Sequence, residues 1–206
     1  MEIVLASRNR KKIEELKSLL ADMTIEVRSL LDFPDIPETP ETGSTFAENA
    51  ELKAKAAARA TGRIALADDS GLEVDALGGQ PGILSSRFAG PEATDREKYM
   101  RILELLEGVP DEERTARFRA AVAIATPDGE AVLVEGTCEG RIAREARGEN
   151  GFGYDPIFYL PDLGLTMAEI PASEKNRISH RAKALQVAKK LLAARLGIES
   201  PGYNHA

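Results

Sequence analysis

With 206 residues, 43% of them hydrophobic and few aromatic, the chain carries enough apolar mass for one domain with an elaborated sheet or for two small lobes. A formal charge of −7 argues against nucleic acid or an anionic membrane as principal partner, because both require a clustered basic surface. A small polyanionic substrate stays compatible with that charge, since local Lys and Arg groups and a bound cation can hold it.

Ile3 to Ala6 reads as a buried strand and Ser7 to Lys12 as a basic loop. An amphipathic helix follows, with Ile13, Leu16, Leu19 and Leu20 inward. The opening residues contain no basic leader or long apolar span, so a soluble cytoplasmic protein is expected. A second strand near Ile25 to Leu30 and a loop with Pro34, Pro37 and Pro40 lead to a second helix. Thr45 to Glu48 fits a capping box at its start, and Thr61-Gly62 stops it. Ile64 to Ala67 is a further apolar run, and Gly78 to Gly82 forces a loop. Thr94 to Glu97 opens a third helix, with Tyr99, Ile102, Leu103 and Leu106 on one face. Alternation from Ala116 to Ile124, the turn Pro127-Asp128-Gly129 and the return from Val132 to Cys138 predict a hairpin. The last third holds Gly148 to Phe158, a loop around Glu169 to Ser179 and a closing helix with Ala184, Leu185, Ala188, Leu191 and Leu192 inward. Pro201 to Ala206, with His205, reads as a flexible tail. Helices and strands mix throughout, so the class is α/β with a mixed sheet, in a single domain over 1–200. The lone cysteine, Cys138, reads as a small buried residue in a reducing compartment.

Five segments carry candidate chemistry, and three of them have an equally plain structural alternative. Asp68-Asp69-Ser70-Gly71 is either a hard-metal site or ordinary turn chemistry. Neighbours in a strand point to opposite faces, so the two carboxylates share one ion only if the chain turns there. Ser7, Arg8, Asn9, Arg10, Lys11 and Lys12 form either a phosphate cradle at a helix start or a solvated basic turn, and they lack the glycines of a Walker A loop. Glu41 offers a loop carboxylate, Glu48 reads as a cap, and Asn49 and Lys53 share a helix face. Gly151 to Phe158 is either a purine site, with Phe152 stacking and Asp155 bonding the base edge, or a glycine-kinked strand. Lys175, Arg177, His180 and Arg181 gather at a helix start with Ser179 as its cap. Cations there oppose the helix dipole, which suggests a task such as reading a carbonyl or a phosphate.

Taken in order, LASRNRKK, ETGSTFAENAELKAKA, ADDSGLEVDALGGQPGILSSRFAG, GFGYDPIF and EKNRISHRAKAL resemble the inosine triphosphate pyrophosphatase family, also called XTP/dITP diphosphatases. The resemblance covers about Leu5 to Leu185. It implies an elongated mixed sheet flanked by helices, two lobes around a central nucleotide-binding cleft, and a homodimer. It also implies hydrolysis of the non-standard purine nucleotides ITP, dITP and XTP to the monophosphate and pyrophosphate, with Mg²⁺ or Mn²⁺. By position, Ser7 to Lys12 and Lys53 resemble the triphosphate binders, and Glu41 and Asp69 the metal ligands. Asp69 also matches the proton acceptor, with Asp68 beside it and Ser70 at the substrate. Phe152, Gly153, Tyr154 and Asp155, then Lys175, His180 and Arg181, resemble the nucleoside-binding set. Two positions depart from the family. Ser7-Arg8 stands where many members have a small residue or threonine followed by glycine, and Ala182 replaces a glycine after Ser179-His180-Arg181.

Two rivals use similar chemistry. A Maf-type nucleotide pyrophosphatase lacks the GFGYDP and SHR segments. A non-hydrolysing nucleotide sensor is disfavoured by Glu41, Asp68 and Asp69, because three carboxylates around a triphosphate are costly unless a metal is recruited.

Overall fold

The computed structural model describes residues 1–198, and the tail expected from Pro201 to Ala206 lies outside the described residues. Seven strands form one mixed sheet in the order β2-β1-β3-β4-β5-β6-β7. They are β1 (Glu2–Leu5), β2 (Glu26–Ser29), β3 (Ile64–Val74), β4 (Thr115–Ala125), β5 (Ala131–Ile142), β6 (Phe158–Leu160) and β7 (Leu165–Thr166). The helices are α1 (Arg10–Leu19), α2 (Phe46–Thr61), α3 (Asp95–Leu105), α4 (Ala172–Ile178) and α5 (His180–Leu196). β1 runs parallel to both β2 and β3, with α1 and α2 on the connections that parallel neighbours require. β5, β6 and β7 pair antiparallel. The α/β class and mixed sheet expected from the sequence are thus present.

The chain divides into two compact units. The first comprises Met1–Asp69, Ala121–Gly136 and the chain from Arg181 on; the second comprises Ser70–Ala120 and Thr137–His180. In the first, Ile3, Val4 and Leu5 of β1 are wholly buried, as are Ala50, Ala54 and Ala58 of α2. Alanine at those spacings leaves one smooth face, so a helix backbone can lie close to a sheet. In the second, Leu72, Val74, Ile102, Leu106, Phe118, Ile157 and Phe158 pack in one cluster that includes the buried Cys138. Each such side chain contributes roughly 1.5–3 kcal/mol relative to exposure. Arg114 is buried there as well. Its guanidinium donates to the carbonyls of Leu106, Ile142 and Ala143, tying three backbone segments together.

Three local expectations differ from the structure. The chain does not turn at Asp68 to Gly71, since β3 continues without interruption from Ile64 to Val74. The segment expected as a loop around Glu169 to Ser179 contains α4, and Ser179 is the extended residue between α4 and α5. At the start of α2, Thr45 caps by accepting from Glu48 N–H, but the Glu48 carboxylate accepts from Ser44 instead of closing the box on Thr45. The box at Thr94 and Glu97 is reciprocal, as expected.

Candidate active site

In the first unit, β3 delivers Asp68 and Asp69 to different partners, as alternation along a strand requires. The Asp68 carboxylate accepts from Lys12 Nζ at 2.8 Å and, side-on, from Arg181 Nε at 3.3 Å and Nη2 at 3.2 Å. Arg181 Nη1 reaches Glu15 at 3.0 Å. The result is a chain of alternating charge, Lys12, Asp68, Arg181 and Glu15, in which Asp68 and Arg181 are almost inaccessible to water. Burial alone would favour a neutral Asp68, but the charges of Arg181 and Lys12 outweigh it and hold the carboxyl far below the usual carboxylate range.

Asp69 meets Lys53 of α2. The ammonium donates to Asp69 Oδ1 at 2.8 Å, to Glu41 Oε1 at 2.8 Å and to the carbonyl of Asp68 at 3.0 Å. Asn49, one turn before Lys53, accepts the Gly43 N–H at 2.8 Å and so fixes the loop bearing Glu41 to the same helix. A side chain at Gly43 would press on Glu48 Cβ at 2.7 Å and on Asn49 Oδ1 at 2.8 Å, so glycine is needed for that approach. Burial lowers the Lys53 pKa, yet Asp69 and Glu41 more than compensate and raise it. Burial raises Asp69 despite the pull of Lys53, whereas in Glu41 the Lys53 charge overcomes burial and lowers the pKa.

Among the described residues, no group of three or more His, Cys, Asp or Glu side chains is arranged to hold a metal ion. The donor set around Lys53 nonetheless fits a hard cation. Two carboxylates and a carbonyl converge on one positive charge, and Mg²⁺ typically takes only one or two protein carboxylates.

The second unit holds a sparser site. Lys175 Nζ donates to Asp155 Oδ2 at 2.6 Å and lies 4.7 Å from the centre of the Phe152 ring. The same carboxylate oxygen accepts Phe152 N–H at 2.8 Å. Gly151 adopts φ +72°, and a Cβ there would stand 2.0 Å from Asp155 Oδ2, so both conformation and space demand glycine. The loop is anchored at two further points. Gly153 N–H donates to Asp95 Oδ2, and the buried Tyr154 hydroxyl donates to the Ser85 carbonyl. His180 stacks on Phe118, with ring centres 4.8 Å apart. His180 and Arg181 therefore diverge despite being adjacent, the first joining the second unit and the next residue the first unit's charged chain.

The remaining expected residues are less concentrated. The Arg8 guanidinium donates to the carbonyls of Leu30, Phe33 and Ile36, so it fastens a loop. Asn9 caps α1 by accepting Lys12 N–H, and the Ser7 hydroxyl accepts Asn9 N–H. Arg10 and Lys11 are exposed, and Ser70 lies half-buried on β3. Sequence reasoning missed Glu15 and Asp95. Glu15 lies three residues after Lys12 beside the apolar stripe of α1, and that spacing was the available signal. Asp95 is a first-turn acid of α3, a pattern that carries no signal of a longer-range contact.

The class defined by this arrangement is an α/β protein with a dense cluster of cationic and carboxylate side chains in one unit and an aromatic ring beside a buried lysine and carboxylate in the other. Residues 3–191 match the Ham1 family model, and the chain belongs to the Ham1 family. It is 58% identical to the dITP/XTP pyrophosphatase of Geobacillus kaustophilus (strain HTA426), over 89% of this chain and 90% of that one. A dITP/XTP pyrophosphatase of Desulforamulus reducens is 53% identical, with 93% and 96% covered. A solved structure of a HAM1 protein from Coxiella burnetii superposes with a TM-score of 0.85 at 47% identity, over 94% of this chain and 99% of that one.

Proposed function

We infer that the protein is a nucleoside triphosphate pyrophosphohydrolase that cleaves ITP, dITP and XTP to the monophosphate and pyrophosphate, clearing non-standard purines from the nucleotide pool. Support comes from relatives at 50–58% identity that bear the name dITP/XTP pyrophosphatase. The observation that carries the reading is the convergence of Glu41, Asp69 and the Asp68 carbonyl on one cation, with Lys12 held on the adjacent carboxylate.

Glu41 and Asp69 would hold Mg²⁺, or Mn²⁺, which when bound neutralises phosphate oxygens and makes water easier to deprotonate. Asp69, its pKa raised by burial, takes the proton from the water that attacks the α-phosphorus as pyrophosphate leaves. Lys12 and Lys53 stabilise the departing charge, and the N-terminal end of α1 with Ser7 to Lys11 supplies the rest of the phosphate surroundings. Asp68 holds Lys12 in place. It is too strongly stabilised as an anion by Arg181 and Lys12 to accept a proton near neutrality.

Phe152 stacks on the base, with Gly153, Tyr154 and Asp155 shaping the contact. The 6-oxo group of hypoxanthine or xanthine accepts from Lys175 or Arg181, and the engagement of Arg181 with Asp68 and Glu15 favours Lys175. Adenine presents a donor at that position, which would face a cation. His180 supports this set through Phe118. We further propose a cytoplasmic homodimer that acts on free nucleotides. The lone, buried Cys138 suits a reducing compartment, and no described helix is long and apolar enough to cross a membrane.

Pyrophosphate release from ITP, XTP, GTP and ATP, with and without Mg²⁺, tests the reading. Metal-dependent release from ITP and XTP far above GTP and ATP is expected. Equal rates on all four would remove base selection, and no release would replace the hydrolase with a nucleotide sensor.

A further inference from the structure

We propose that Lys53 is a tethered cation that occupies the metal position between Glu41 and Asp69, and that metal enters together with nucleotide because the triphosphate gives the displaced ammonium a new partner. The inference rests on the reading of Glu41 and Asp69 as metal ligands.

An ammonium has three N–H donors, and Lys53 directs one to each of three oxygens, at 2.8, 2.8 and 3.0 Å. All three acceptors are ones a hard cation would use, and Mg²⁺ would need them at about 2.0–2.1 Å. One set of oxygens cannot serve both. The two positive charges would also stand within a few ångströms of each other in a site where the Lys53 side chain is only 13% exposed and repulsion is poorly screened. Occupancy by the ammonium and by the metal is therefore exclusive.

The surroundings show which partner moves. Glu41 is fixed to α2 through Gly43 and Asn49, and Asp69 is built into the long strand β3. Asp69 is thus held in a strand and Glu41 in a loop tied to a helix. Lys53 carries its charge on a flexible four-carbon stem and can swing it away without breaking backbone pairing. Two carboxylates sharing a site resist ionisation unless a cation stands between them, and Lys53 supplies that cation within the chain. Free metal must compete with it, whereas a metal ion arriving with a triphosphate brings phosphate oxygens that receive the ammonium. Metal and nucleotide then strengthen each other's binding by the same factor.

The test is Mn²⁺ binding without nucleotide, by calorimetry and by the free-Mn²⁺ spin resonance signal, on the wild-type chain and on Lys53→Met. Lys53→Met is expected to bind Mn²⁺ at least tenfold more tightly and to lose most of the mutual enhancement with a non-hydrolysable imido analogue of ITP. Equal or weaker binding by Lys53→Met would overturn the inference, and the metal reading would stand if Glu41→Gln and Asp69→Asn still weakened Mn²⁺ binding. Mn²⁺ binding indifferent to Glu41→Gln and Asp69→Asn would sink the metal reading and the inference with it. Should Lys53→Met fail to fold, the ¹⁵Nζ resonance of Lys53 in the wild-type chain decides the matter. Its correlations to Glu41 and Asp69 are expected to vanish with Mg²⁺ and the imido analogue together, and their persistence would overturn the inference.

Discussion

The two units place charge in opposite ways. In the first, cations and carboxylates alternate through seven side chains in two runs, Lys12-Asp68-Arg181-Glu15 and Glu41-Lys53-Asp69, and the interior charges of Asp68 and Arg181 are satisfied from both sides. In the second, one buried lysine and one buried aspartate stand beside a ring, held by glycine, a backbone N–H and a tyrosine hydroxyl. The contrast suits the two tasks proposed for the two units. A triphosphate and its cation change charge during reaction and need an array that can redistribute it, whereas a base needs a few fixed donors and acceptors beside a flat surface.

The largest expected effect lies in the first unit. Asp69→Asn should lower kcat by about 10³-fold while leaving the far-UV spectrum intact, in line with the removal of a proton acceptor. Near-normal turnover would sink the role given to Asp69.

Stability sharpens the same comparison. Arg181→Met removes the partner shared by Asp68 and Glu15, leaves Lys12 as the cation on Asp68, and should cost about 3–5 kcal/mol in denaturant unfolding. Lys175→Met should cost less, because Asp155 keeps the Phe152 N–H. Equal losses would mean that the charged chain is no more cooperative than the single pair.

A smaller effect is expected from Gly151→Ala. The added methyl would displace the Asp155 carboxylate and strain a left-handed residue by about 1–3 kcal/mol. KM for ITP should rise with kcat little changed. An unaltered KM would separate Asp155 from base binding.

The last effect is read in acid and concerns Asp68. Its folded pKa is depressed, so its contribution is complete above the unfolded value of about 4 and is lost as pH falls below that toward the folded value. Asp68→Asn should therefore flatten the decline in stability below about pH 4. An acid limb unchanged by this substitution would show that other carboxylates cause it.

Much of this contrast was legible in the sequence, for identifiable reasons. β1 and α1 to α3 were marked by apolar periodicity and by caps at Thr45 and Thr94, and each helix forms where those signals lie. α4 was not legible. Ala172–Ile178 is mostly polar, and Lys175, its buried residue, is charged, so no apolar stripe announces it. The expected turn at Asp68 to Gly71 rested on composition. A straight strand accommodates the pair of aspartates because cations wait for each, Lys12 and Arg181 for Asp68 and Lys53 for Asp69. Arg8 falls in the basic loop by position, and its engagement with three carbonyls some 25 residues away leaves no local pattern in the sequence.

The most direct test of this division of labour is the ratio of kcat/KM for ITP to that for ATP in Lys12→Met and in Lys175→Met. The account predicts that Lys12→Met slows both substrates with the ratio unchanged, while Lys175→Met reduces the ratio by at least about tenfold, because the site that rejects adenine has lost its donor. A ratio altered by Lys12→Met and untouched by Lys175→Met would contradict it.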